Sequence, residues 1–183
     1  IVEHKFRINW STVEFTNKID EIKNPVAREC LKYFKIDYPI EITTFADIPA
    51  NTGLGSSSAF AVGLVNALFA LEGKLASKYE IASIAAKIEI DILGRKIGKQ
   101  DHFACCYGNI NNLVFKRNET VVINPIVASS RSIKTLEANM IMFYTNQKRN
   151  SETVLKNQYR IKKKQFENLK KLKDLVDISK DII

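Results

Sequence analysis

Hydrophobic and polar positions change rhythm several times along this chain. Phe6, Ile8 and Trp10 alternate with Lys5, Arg7 and Asn9, the period-two pattern of a half-buried, antiparallel strand. Thr12 to Thr16 continues that strand or pairs with it, and Asn17 to Lys23 is polar and loop-like. Asn24 before Pro25 supplies a cap and a first helical residue. Val26, Cys30, Leu31 and Phe34 then mark the inner face of a helix that ends near Lys35. Ile40 to Phe45 reads as the next strand. From Ala59 to Leu71 only Asn66 interrupts an apolar run, so a buried helix is expected from about Ser56, stopped at Gly73.

Ser77 and Glu80 form a capping box for a further helix with core positions Ile81, Ile84, Ala85, Ile88 and Ile92, ending near Leu93-Gly94. A loop over 95–100 follows, and Asp101 is placed to cap a short helix from His102 to Tyr107. Gly108-Asn109 is a turn. Asn111 to Phe115 and Thr120 to Ile123 predict a hairpin across Lys116 to Glu119. Glu137 to Tyr144 predicts one more strand, and a basic helix is expected from about Ser151. Strands mixed with helices, joined by antiparallel connections after Tyr107, favour an α+β layer architecture over a doubly wound parallel sheet.

Composition narrows the class. The chain has 183 residues, of which 45% are hydrophobic, enough for a domain with a real core. The apolar run from Ala59 to Leu71 is too short to span a bilayer, so no membrane role is expected. Cys30, Cys105 and Cys106 give neither a disulfide framework nor a metal-ligand spacing. A reducing, cytoplasmic setting is expected, with Cys105 and Cys106 as small core residues. No signal peptide is visible, and the absence of an initiating Met leads to the expectation that the chain starts inside a longer product. Net charge is +8. Lys156, Arg160, Lys162, Lys163, Lys164, Lys170, Lys171 and Lys173 cluster near the C-terminus, against Glu167. Ile161, Phe166, Leu169, Leu172 and Leu175 recur there at roughly helical spacing, so the cluster reads as a solvated helix face rather than a nucleic-acid site.

The chemistry centres on Gly53-Leu54-Gly55-Ser56-Ser57-Ser58, between a strand and an apolar helix. A helix start leaves backbone N–H groups unpaired and favours negative charge. Glycines let the backbone approach a ligand closely, so this turn can cradle phosphates. It can equally be a plain Gly/Ser loop with a Ser N-cap. No Gly-Lys-Ser/Thr follows, which excludes a Walker A loop, and no acidic residue ends a second strand as a dinucleotide site requires. A phosphate site with a metal needs hard oxygen ligands and a base or orienting acceptor. Glu89, between Ile88 and Ile90, is one carboxylate candidate, or an exposed-face residue. Asp101 is the other, or a plain N-cap. Lys99 is a candidate to neutralise phosphate charge. His4 and His102 are the sole histidines and no G-x-S-x-G elbow exists, which argues against a hydrolytic triad. His102 reads as a helix-face or pocket-wall residue.

Pro49 to Ala59, PANTGLGSSSA, resembles the central motif of the GHMP kinases, the superfamily of galactokinase, homoserine kinase, mevalonate kinase and phosphomevalonate kinase. IEIDILG over 88–94, IGKQDHFA over 97–104 and Tyr107-Gly108 resemble more narrowly its D-glycero-D-manno-heptose 7-phosphate kinase branch. The resemblance extends from about Lys5 to the end, through Asn124-Pro125-Ile126 and Phe143-Tyr144-Thr145. It implies a GHMP kinase N-terminal domain fold, ribosomal-protein-domain-like, with a left-handed βαβ unit. It implies ATP phosphates held by Pro49, Ala50, Asn51, Thr52, Gly53, Leu54, Gly55, Ser56, Ser57 and Ser58. Ser57 would be the hydroxyl on the Mg²⁺ side, with Ser56 and Ser58 as alternatives, and Glu89 the Mg²⁺ carboxylate. Asp101 would orient or deprotonate the attacking sugar hydroxyl, and catalysis would be positioning and charge stabilisation.

Asn51 stands where this branch has Gly, and Asn109 replaces the second Gly of Tyr-Gly-Gly. The branch's N-terminal sugar-binding motif and the Gly-rich motif of its second domain do not occur in this sequence. The expected organisation is therefore residues 1–145 as the ATP-binding domain without its extreme N-terminus, and 146–183 as a basic helix starting a second domain. Two further readings stand beside a kinase acting on a small sugar phosphate. One is a catalytically silent domain that packs or dimerises through exposed apolar surface, giving a homo-oligomer. The other is a nucleic-acid binder using the basic helix.

Overall fold

A computed structural model of the protein describes residues 3–47, 52–144 and 163–182. Strand β1 (Phe6–Asn9) lies between β2 (Val13–Thr16) and β3 (Ile40–Thr43). It pairs antiparallel with β2, as its alternation predicts, and parallel with β3, with Phe6 opposite Ile40 and Ile8 opposite Ile42. Phe6, Ile8 and Ile42 turn one sheet face into the core, while Trp10 lies past the strand and is partly exposed. β3 stops at Thr43, two residues before the expected Phe45, although the Thr44 N–H still donates to the Asn9 carbonyl.

Between β2 and β3 the chain makes a 3₁₀ turn at Ile19–Glu21 and helix α1 (Pro25–Tyr33). The Asn24 side chain accepts the Ala27 N–H at 3.0 Å, the cap that the sequence announces. Glu14 on β2 fixes this entry from the other side. Its carboxylate accepts the Trp10 indole N–H at 2.7 Å and the Asn24 N–H at 3.1 Å. A short polar strand is thereby tied to the helix start.

Helix α2 (Ser56–Leu71) buries Ala61, Val62, Leu64, Val65 and Leu68 against Phe6, Ile8, Leu31 and Ile81. It is not buried all round. Gly63, Ala67 and Leu71 face a groove of about 660 Å³ shared with β3. β3 is the edge strand among the described residues, so that side of α2 has only a partial cover. Gly73, at φ 67, ends the helix as expected. Ser77 caps α3 (Lys78–Lys87) by accepting the Glu80 N–H at 3.1 Å.

α3 does not end there. It runs into a π-helical turn at Ile88–Ile92, where the Leu93 N–H donates to the Ile88 carbonyl. One extra residue per turn rotates the side chains that follow. Ile88 and Glu89 both point inward, whereas Ile92, expected in the core, is exposed. π-turns of this kind recur at functional sites. α4 (Gln100–Tyr107) follows and turns His102 and Phe103 inward. Cys105, expected as a core residue, is exposed on its outer side, and Cys106 is half-buried.

β4 (Asn111–Phe115) and β5 (Val121–Pro125) form the predicted hairpin, with Leu113 opposite Ile123. Val121 joins Ala82 and Phe103 in a second small core. Asn109 adopts φ 56, a left-handed conformation that Asn tolerates. The strand expected over 137–144 is absent: Glu137 and Ala138 close helix α5 (Ser130–Ala138), and 139–144 is irregular and exposed. Ser129 starts that helix by accepting the Ser132 N–H at 3.0 Å. A short apolar run becomes a strand by pairing with another, and none lies alongside 139–144 among the described residues. The basic helix is present as α6 (Lys163–Ile182). Its expected start near Ser151 lies outside the described residues. Phe166, Leu169, Leu172 and Leu175 on it are exposed.

Candidate active site

The turn before α2 is built on positive φ angles, 81° at Gly53 and 70° at Gly55. Gly55 is the N-cap residue and has no side chain with which to cap. The Ser N-cap that the plain-loop reading requires is therefore absent, and the positive end of the α2 dipole has no cap from its own N-cap residue. Pro49, Ala50 and Asn51 lie outside the described residues. Thr52, Gly53 and Leu54 form the described approach to the turn.

The three serines go to different places. Ser58 is buried, and Ser56 faces the groove beside β3. Ser57 points to Glu89, and its Oγ donates to Oε1 at 2.6 Å. Glu89 is fully buried, not the exposed-face residue that its neighbours Ile88 and Ile90 permit. Its second oxygen, Oε2, lies 2.8 Å from Nε2 of His102, also fully buried. Burial alone would raise the Glu89 pKa. The hydrogen bonds from His102 and Ser57 and the charge of Arg95 outweigh it and hold the carboxyl below the usual glutamate range. Glu89 is thus a carboxylate, an acceptor only, so Nε2 of His102 carries the shared proton. Nδ1 of that ring is buried without a hydrogen-bond partner among the described residues.

Asp101 arrives from the next helix. It sits in the first turn of α4 and is not its cap: the N-cap is Lys99, whose side chain makes no capping bond. Its exposed carboxylate instead lies against Gly55. A β-carbon placed there would stand 3.1 Å from both Cγ and Oδ2 of Asp101. Only a glycine accepts both the φ and the neighbour. Lys99 turns away to an ion pair with Glu119 on the hairpin, so its charge is already matched. Ser57, Glu89 and Asp101, far apart in sequence, therefore meet at one end of α2.

Two residues that sequence reasoning missed complete the cluster. Arg95 donates through Nη1 to Ser57 Oγ at 2.7 Å and pairs with Glu89 Oε1. Its N–H also donates to the Glu89 carbonyl at 3.1 Å. A lone arginine in a basic loop gives no signal of this. His102 was noticed only as a wall residue. Its position one residue after Asp101 places it on the inner side of the same helical turn, and helical phase could have found it.

The donor set suits Mg²⁺ better than a soft metal. Ser57 and Glu89 offer hard oxygens, and no group of three or more His, Cys, Asp or Glu side chains gathers to hold a metal among the described residues. Mg²⁺ needs few protein ligands, since it keeps water and takes phosphate oxygens. No helix among the described residues is long and apolar enough to cross a membrane.

The fold defines an α+β domain of one known class. Residues 21–109 match the family described as GHMP kinases N terminal domain, and the chain belongs to the GHMP kinase superfamily. It is 31% identical over 137 residues to the D-glycero-alpha-D-manno-heptose 7-phosphate kinase of Campylobacter jejuni, covering 75% of this chain and 40% of that protein. It is 37% identical over 65 residues to the mevalonate kinase of Methanothermobacter thermautotrophicus, 36% of this chain and 22% of that one. Among solved structures it resembles a D-glycero-D-manno-heptose 1-phosphate kinase from Bacteriodes thetaiotaomicron, with TM-score 0.62 and 25% identity, over 73% of this chain and 47% of that one. A sugar kinase structure from Campylobacter jejuni, described as unproven in function, gives TM-score 0.55 and 25% identity over 74% and 46%. The chain thus spans less than half the length of each of these relatives.

Proposed function

We propose that this chain carries the nucleotide-binding half of a sugar kinase, which moves the γ-phosphoryl of ATP to a hydroxyl of a small sugar phosphate in the presence of Mg²⁺. The observation that carries this reading is the meeting of Ser57, Glu89 and Asp101 at the uncapped start of α2. A phosphoryl donor needs an anion cradle, and the described turn over 52–58 with the first amides of α2 offers one. When bound, Mg²⁺ would neutralise phosphate charge, held by Ser57 and Glu89. Asp101 would orient the acceptor hydroxyl and take its proton as oxygen attacks the γ-phosphorus and the bond to the ADP oxygen breaks. His102 holds Glu89 in place through its second oxygen.

A heptose phosphate is the acceptor we favour, because two proteins named for that sugar are similar over 75% and 73% of this chain. We assign residues 1–145 to the ATP-binding domain and 146–183 to the start of a second one. Three free cysteines suit work in the reducing cytoplasm. Phosphoryl transfer from Mg-ATP should be measured with heptose 7-phosphate and heptose 1-phosphate as acceptors, for the wild type and Asp101→Ala. A transfer rate at least a hundredfold lower in the variant supports the assignment. Equal rates contradict it.

One observation favours a second reading, a silent domain that self-associates. Phe166, Leu169, Leu172 and Leu175 form an exposed apolar stripe on α6, which favours association. A dimer by sedimentation, together with no heat of Mg-ATP binding, would decide for it.

A further inference from the structure

We propose that Arg95 is a built-in cation that competes with a divalent metal for the Ser57–Glu89 pair. This rests on the kinase reading only in that these two residues are its metal-side ligands. One Nη1 of Arg95 reaches both the Ser57 hydroxyl, at 2.7 Å, and Oε1 of Glu89. Ser57 donates to that same carboxylate oxygen. The other oxygen is engaged by His102. The guanidinium therefore takes the very oxygens, hydroxyl and carboxylate, that face the loop and that a metal would need.

Its placement is built into the backbone. Gly94, at φ 66, turns the chain after the π-helical segment, and the Arg95 N–H bonds back to the Glu89 carbonyl. A guanidinium does not leave by losing its proton, since it stays charged throughout the accessible pH range. It has to swing out. The Arg95 side chain is 29% exposed while Glu89 is 0% exposed, so a route to water is open to the cation and not to the anion. One unit charge satisfies Glu89 at rest, and a divalent ion with phosphate oxygens displaces it. Metal entry and arginine exit become one event, and the freed guanidinium emerges beside the phosphate loop.

The test titrates Mn²⁺ alone into the wild type, Arg95→Ala and Arg95→Gln, with free Mn²⁺ read by electron paramagnetic resonance. Cooperative thermal unfolding of each variant checks that it is folded. Both variants are expected to bind Mn²⁺ at least tenfold more tightly than the wild type, and adding Glu89→Gln to either should erase the gain. Equal or weaker binding in both variants overturns the proposal, as does a gain that survives Glu89→Gln. Mg-ATP binding, measured in parallel by calorimetry, separates the two claims. Nucleotide binding without the Mn²⁺ gain sinks the competition and leaves the kinase reading standing. The Mn²⁺ gain without nucleotide binding upholds the competition and sinks the kinase reading.

Discussion

The Asp101 carboxylate lies against Gly55, 3.1 Å from where a β-carbon on that glycine would stand. The contact joins the first turn of α4 to the start of α2. It makes the glycine turn and the candidate base a single structural unit.

That relationship predicts the effect of one methyl group. Gly55→Ala imposes a left-handed φ on a residue with a β-carbon, a cost of about 1–2 kcal/mol, and pushes Asp101 off the turn. Gly53→Ala incurs the backbone cost alone, because no atom lies within 4 Å of its β-carbon position. Gly63→Ala, inside α2 with open space around it, should stabilise by about 0.5–1 kcal/mol. Urea unfolding of the three variants should rank them Gly55→Ala least stable, then Gly53→Ala, then Gly63→Ala.

Glu89 sets a second expectation. It is buried with His102 and paired with Arg95. Removing one partner of a buried ion pair costs about 3–5 kcal/mol. Glu89→Ala should fall near the low end, about 3 kcal/mol, since Arg95 can turn to water. Chemical denaturation measures it, and a loss below about 1 kcal/mol would show that the cluster contributes little to holding the fold.

The same residue ties stability to pH. The folded protein holds the Glu89 pKa below its ordinary value. Its contribution is therefore complete above the ordinary glutamate value, about 4.3, and is lost as pH falls through the lower folded value. In metal-free buffer, wild-type stability should drop more steeply than that of Glu89→Gln between about pH 5 and pH 3. Parallel curves would mean that Glu89 does not titrate with folding.

The cysteines should differ in reactivity. Burial, with the charges of Glu89 and Glu29, pushes the Cys30 thiol up to about 12, and burial lifts half-buried Cys106 to about 11. Cys105 is exposed, and its pKa is raised by partial burial and by Asp101. Since the thiolate is the nucleophile, iodoacetamide should label Cys105 first and slowly, and Cys30 only after unfolding. Peptide mass mapping of native and denatured samples reads this out.

Local chemistry made much of the fold legible in the sequence. Asn24 with Pro25, Ser77 with Glu80, and Gly73 mark helix ends by hydrogen-bond needs that do not depend on the rest of the chain. Non-local causes hid the rest. The charge of Glu89 reads as exposed, although it follows buried Ala85 by four residues on the same helical face, and the π-helical turn that exposes Ile92 leaves no mark in its apolar neighbours. The strand expected over 137–144 needed a neighbouring strand, and Ser129 instead starts a helix across its first residues. Asp101 reads as a cap because it precedes the short helix expected from His102, yet the helix begins two residues earlier, at Gln100, and frees the carboxylate for the glycine turn. Arg95 was invisible because one partner, Ser57, comes from the distant start of α2 and the other, Glu89, from the helical turn before it, so only the fold brings them together.

The central claim is that an anion rests on the amino end of α2. Backbone amide shifts of ¹⁵N-labelled protein, recorded as the non-hydrolysable analogue Mg-AMP-PNP is added, test this most directly. The account predicts that the largest shifts fall on Gly55, Ser56, Ser57 and Ser58. An unmoved loop, or shifts gathered on the basic face of α6, would contradict it.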